Sequence, residues 1–125
     1  MMPQDDIPIP VAPRAHRALS RLFAQAVDPG ASPAQVEAAR VLAALWTAAA
    51  HIGGGDAHVE HWLHNSADLS APRRILGARK VGARGTRPGR LVAADLAAHD
   101  TDRREHRRAV REIITTALAH AGATS

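Results

Sequence analysis

Two stretches of this chain carry side chains whose types and spacing could do chemistry. The first is GARKVGARGTRPGR, residues 77 to 90, where five of fourteen residues are Arg or Lys, four are Gly and none is acidic. Counted from Arg73 and Arg74, the run to Arg90 holds seven positive charges and no negative one. Duplex DNA presents roughly one phosphate charge per 1.7 Å of axis, so an extended cationic segment neutralises several phosphates and releases their counterions. Arg73, Arg74, Arg79, Lys80, Arg84, Arg87 and Arg90 are the candidate phosphate contacts. Glycine lets such a backbone approach a groove closely. The competing reading is a solvated loop whose Arg content follows coding bias.

A second basic element lies further on. Arg103, Arg104, Arg107, Arg108 and Arg111 recur at spacings of three and four, and so line one helix face opposite Val110 and Ile114. Arg104 and Arg111 extend the same patch, tempered by Glu105 and Glu112. Within the first run, Arg84-Gly85-Thr86-Arg87-Pro88 is loosely similar to the Arg-Gly-Arg-Pro core of AT-hook peptides, which makes minor-groove or backbone contact feasible. A Walker phosphate loop does not fit, because Ala83-Arg84 stands where Lys and Ser or Thr are required.

The other chemically suggestive stretch is His58-Val59-Glu60-His61-Trp62-Leu63-His64. On a helix the three His span roughly 120° of surface, so two neighbours could chelate a metal, with Glu60 beside His64 and His51 a further candidate. The spacing matches no zinc signature and there is no Cys, so no metal and no cofactor is assigned. Ser20, Ser32, Ser66 and Ser70 sit in no Gly-x-Ser-x-Gly elbow, and the carboxylates form no obvious pair. The expectation is a protein that is not an enzyme.

These side chains need helices to hold them. Residues 1 to 12 read as a flexible leader punctuated by Pro, and 13 to 125 as a single helical domain with a basic arm at 73 to 90. Ala15, Ala18, Leu19, Leu22, Phe23 and Ala26 predict a first helix from Pro13 to Val27, ended by Asp28-Pro29-Gly30. Ser32-Pro33-Ala34-Gln35 is a capping box opening a second, which runs to about Ile52 with Val41, Leu42, Leu45, Trp46, Ala49 and Ile52 inward, until Gly53-Gly54-Gly55 stops it. Asp56 is expected to cap a short third helix burying Val59, Trp62 and Leu63. Residues 72 to 76 read equally as a short helix or a hairpin arm. Leu91 to His99 forms another helix, and Asp102-Arg103-Arg104-Glu105 reads as a capping box for the last, whose Val110, Ile113, Ile114, Ala117, Leu118 and Ala121 face inward. The expected fold is all-α, a small bundle of about five helices.

Composition bounds the rest. About half of the 46% hydrophobic content is Ala, and there are only one Phe, two Trp and no Tyr. Because burial stabilises by roughly 25 cal/mol per Å² of apolar surface, such a core is thin, and association into a homodimer is a reasonable expectation. The absence of Cys and of any secretory or membrane-spanning pattern points to a cytoplasmic protein that does not engage a membrane. Net charge is +4, but residues 1 to 72 carry −3 and residues 73 to 125 carry +7. That lengthwise asymmetry favours an acidic partner at one end, nucleic acid first.

Residues 41 to 76 also resemble the toxin-binding domain of the Xre/MbcA/ParS antitoxins, in the order Gly55-Asp56, Trp62-Leu63, Asn65, Leu69, Pro72 and Ile75-Leu76. The resemblance covers under a third of the chain. It implies an antitoxin that covers a toxin's active site and represses its own operon, with the 56 to 76 region in partner contact. The chain thus reads as a basic nucleic-acid-binding protein, regulatory or accessory, DNA before RNA, with a protein-binding module for a toxin or an assembly subunit as the alternative.

Overall fold

In a computed structural model, residues 12–65, 69–77 and 89–123 are described, the side chains of 65, 77, 89–93 and 122–123 excepted. The proposed leader, apart from Ala12, and residues 78–88 of the arm lie outside them. The described residues form six helices and no strand: α1 Pro13–Ala26, α2 Pro33–His51, α3 Asp56–Asn65, α4 Ser70–Gly77, α5 Gly89–Thr101 and α6 Arg104–Ala123. The chain is all-α, as its periodicity indicated, with six helices where about five were expected. The added one is α4, which residues 72 to 76 left undecided between helix and hairpin.

Helix α2 is the hub, packed against each of the other five. Its sequence explains why. Between Pro33 and His51 the charged residues are Glu37 and Arg40, and Ala38, Ala39, Val41, Leu42, Ala44, Leu45, Ala48 and Ala49 are all buried. A helix apolar on nearly every side is stable only when surrounded. Alanine contributes little area per residue, but it lets neighbouring axes approach to the short end of the usual 8–10 Å range. α1 and α6 pack on each other and on α2, while α4 pairs with α5 and both lie on α2. Leu22, Leu42, Leu45, Leu69, Leu76, Leu96 and Ile114 are the large side chains at the centre.

Local signals set several helix ends. Ser32 Oγ accepts from Gln35 N at 3.2 Å while Gln35 Oε1 accepts from Ser32 N at 2.8 Å, closing the capping box. At the other end of α2, Gly53 takes φ +65°, Gly54 N donates to Ala49 O at 2.8 Å and Gly53 N to Ala50 O at 3.3 Å. This is the Schellman arrangement, in which a left-handed residue is required.

Four expectations are corrected. Asp56 does not close a local cap on α3; its carboxylate accepts from Arg14 N and Ala15 N of α1. Asp102 does not open α6: the helix begins two residues later, and the carboxylate lies beside His106 instead. Phe23 is 47% exposed and Ile52 46%, although both were placed on apolar faces. Phe23 stands at the margin of the α1 stripe formed by Ala15, Ala18, Leu19 and Leu22, and Ile52 lies just past the last helical residue of α2.

Candidate nucleic-acid interface

The first turns of α6 carry Arg104, Arg107, Arg108 and Arg111, at i, i+3, i+4 and i+7, and these four residues alone line an open groove of about 600 Å³. Helical geometry puts them along roughly 10 Å of axis on one side. Val110 and Ile114, which adjoin Arg107 and Arg111 at helical spacing, are fully buried, so the arginine row flanks the buried face, with Arg107 and Arg111 nearer to it than Arg104 and Arg108.

The four guanidinium groups are not equivalent. Arg104 and Arg108 are exposed, whereas Arg107 and Arg111 are half-buried. Arg107 Nη1 donates to Asp100 O at 3.4 Å. Arg111 Nη1 donates to Leu63 O at 3.1 Å, and its Nε donates to His99 Nε2 at 3.4 Å. Arg111, named from the sequence as a phosphate contact, thus also ties α6 to α3 and α5.

Of the remaining candidates, Arg73 on α4 has its Nη2 3.6 Å from Asp100 Oδ2, and Arg74 is exposed. Asp100 in turn takes the Leu69 N–H at 3.0 Å, so one carboxylate caps α4 and holds Arg73. Through Asp100 the described start of the basic run and the arginine groove adjoin each other, Arg73 on the carboxylate and Arg107 on the backbone oxygen. The backbone of Arg90 belongs to α5; Arg79, Lys80, Arg84 and Arg87 lie outside the described residues.

Beneath the groove is a polar cluster that sequence reasoning did not anticipate. His99, the one fully buried polar side chain among the described residues, places Nδ1 2.9 Å from Glu37 Oε2. Arginine can only donate, so Nε2 facing Arg111 presents its lone pair and Nδ1 carries the proton. The result is a chain Glu37–His99–Arg111 from α2 through α5 to α6. The other Glu37 oxygen is 3.3 Å from His106 Nε2, which is 3.8 Å from Asp102 Oδ2. Burial works to raise the Glu37 pKa, but hydrogen bonds with Asp102, His99 and His106 outweigh it and hold it below the ordinary value. Asp102 is pushed up, first by its hydrogen bond with Glu37 and then by desolvation. The two carboxyl groups are thus pushed in opposite directions, Glu37 towards ionisation at lower pH and Asp102 towards holding its proton longer.

The histidines of α3 behave differently. His58 Nδ1 accepts the Gly55 N–H at 3.3 Å, acting as a local cap, and His61 and His64 are exposed. Among the described residues, the ligand-type side chains whose atoms fall within 4.8 Å of one another are Glu37, Asp102 and His106. In the sequence nothing marks this group, because Glu37 is more than sixty positions from its partners. Trp62, Leu63, Leu69, Pro72 and Leu76, which carried the antitoxin resemblance, are buried in the core.

Fold and groove together define an all-α bundle with an arginine-lined concavity on its last helix. No described helix is long and apolar enough to cross a membrane. Comparison with protein families, with curated proteins and with solved structures finds no match to this chain.

Proposed function

We propose that the protein binds nucleic acid, DNA in the first instance, through phosphate contacts made by the α6 groove and the adjoining basic run. The observation that carries this is the groove itself: four arginines and no carboxylate line it. Its length of about 10 Å is enough to reach more than one phosphate of a strand, whose charges repeat at roughly 3.4 Å of axis. Guanidinium groups suit the task because they stay charged and bind phosphate oxygens in pairs. No base-reading element is evident in the groove, so the contacts favour affinity and register over sequence choice.

The test is a titration of fluorescent duplex DNA against salt. Each phosphate contact contributes about −0.9 to the slope of log affinity against log salt concentration. Replacing Arg104 and Arg108, the two exposed members, by Gln should flatten the slope by roughly 1.8 if each makes one contact. A salt-independent or absent affinity rejects the reading and favours the alternative, a module docking an acidic protein surface such as a toxin's. A single-stranded RNA competitor of equal length decides between the two nucleic acids.

A further inference from the structure

Glu37, Asp102 and His106 are not among the residues that line the groove. Glu37 comes from the second turn of α2, Asp102 from the link between α5 and α6, and His106 from the first turn of α6. Two helices and the link between α5 and α6 thus meet where these side chains converge. Their ligand-type atoms are Glu37 Oε1, Asp102 Oδ2 and His106 Nε2, at 3.3 Å and 3.8 Å from the nitrogen to the two oxygens. Ligand atoms held about 2.0–2.2 Å from a tetrahedral metal ion stand roughly 3.3–3.6 Å apart. The two edges at the imidazole bracket that spacing, and all three ligand-type atoms lie within 4.8 Å of one another, close enough to converge on one ion.

Two features separate this group from an ordinary surface cluster. Asp102 Oδ2 is shut off from solvent and has no hydrogen-bond partner. A buried lone pair left unmatched is rare, because it costs about 1–3 kcal/mol in lost solvation. Behind the candidate ligands stands the fully buried His99, whose Nδ1–H at 2.9 Å fixes the second oxygen of Glu37. A ligating carboxylate oriented by a rigid outer hydrogen bond is the usual support of a metal centre. Two carboxylates also bring the negative charge that a divalent ion needs and that a single imidazole does not offset.

We propose that Glu37, Asp102 and His106 form a site for a divalent transition metal of the zinc class, with three protein ligands and solvent completing the coordination. Oxygen and imidazole donors suit Zn²⁺ and Co²⁺. The side chains of the ligands are 24%, 29% and 33% exposed, so the ion has a path in from solvent. This site is independent of the nucleic-acid reading, and its failure would leave that reading intact.

The experiment uses the full chain without a histidine tag, stripped with EDTA and titrated with Co²⁺, whose visible absorption reports tetrahedral coordination, and with Zn²⁺ followed by calorimetry. One equivalent should bind, and Zn²⁺ should raise the melting temperature of the parent. Asp102→Asn and His106→Gln should each weaken binding roughly tenfold or more, while their metal-free melting curves stay cooperative. Asp102→Asn is the more telling variant, since it preserves shape and removes the anionic ligand. Absence of saturable uptake overturns the proposal. So does uptake that both variants retain and that His61→Gln with His64→Gln abolishes, which would locate the ion on α3.

Discussion

The Asp56 carboxylate lies 2.8 Å from Ala15 N and 3.1 Å from Arg14 N, so the start of α1 is capped by a residue of α3 forty-one positions away. Ala12, at the N-cap position itself, has φ 51° and no side chain able to accept those donors. Asp56 also brings a negative charge to the positive end of the α1 dipole. Asp56→Ala should therefore cost roughly 1–2 kcal/mol in a urea denaturation, and Asp56→Asn distinctly less. Equal losses in the two variants would mean that the hydrogen bonds contribute little beyond charge.

Gly53 tests the other end of the central helix. Its positive φ is required for the two hydrogen bonds that close α2, while a Cβ there would meet nothing within 4 Å. Gly53→Ala should destabilise by about 1 kcal/mol through backbone strain alone. A neutral result would show that the turn relaxes to another closure.

His99 links the Glu37 carboxylate to the Arg111 guanidinium. His99→Leu keeps comparable volume but leaves both charged groups short of a partner beneath the groove. The expected loss is about 2 kcal/mol or more, read from the denaturation midpoint at unchanged slope. If Arg111 also loosens, the salt dependence of DNA binding should shift in the same variant.

The Asp102 pKa, raised from its ordinary 3.8 chiefly by the hydrogen bond with Glu37, sets a pH dependence. A carboxyl raised in the folded state contributes stability that is complete below its unfolded pKa and is lost as pH rises through the folded one. Glu37, held below its ordinary 4.5 by its hydrogen bonds with Asp102, His99 and His106, acts in the opposite sense and loses its contribution on acidification. In EDTA, the melting temperature of Asp102→Asn relative to the parent should rise from pH 4 towards neutrality, because the amide cannot ionise. A constant difference across that range would show that folding leaves the Asp102 carboxyl unperturbed.

Side chains acting over three or four positions, or along one helix face, were legible in the sequence. Ser32 with Gln35, the Gly53 turn, the inward stripe of Val110 and Ile114 and the arginine periodicity of α6 are all of this kind, because helix geometry maps short spacing directly onto proximity. So was the all-α class, which follows from the period of the apolar residues. The structure alone decided which distant residues meet: Asp56 on α1, Asp100 at the start of α4, and Glu37 with His99 and His106. Those pairings span 31 to more than 60 positions and depend on how six helices pack around the alanine-rich α2. Packing is a property of whole faces, and no local pattern encodes which charge on one face will stand opposite which charge on another.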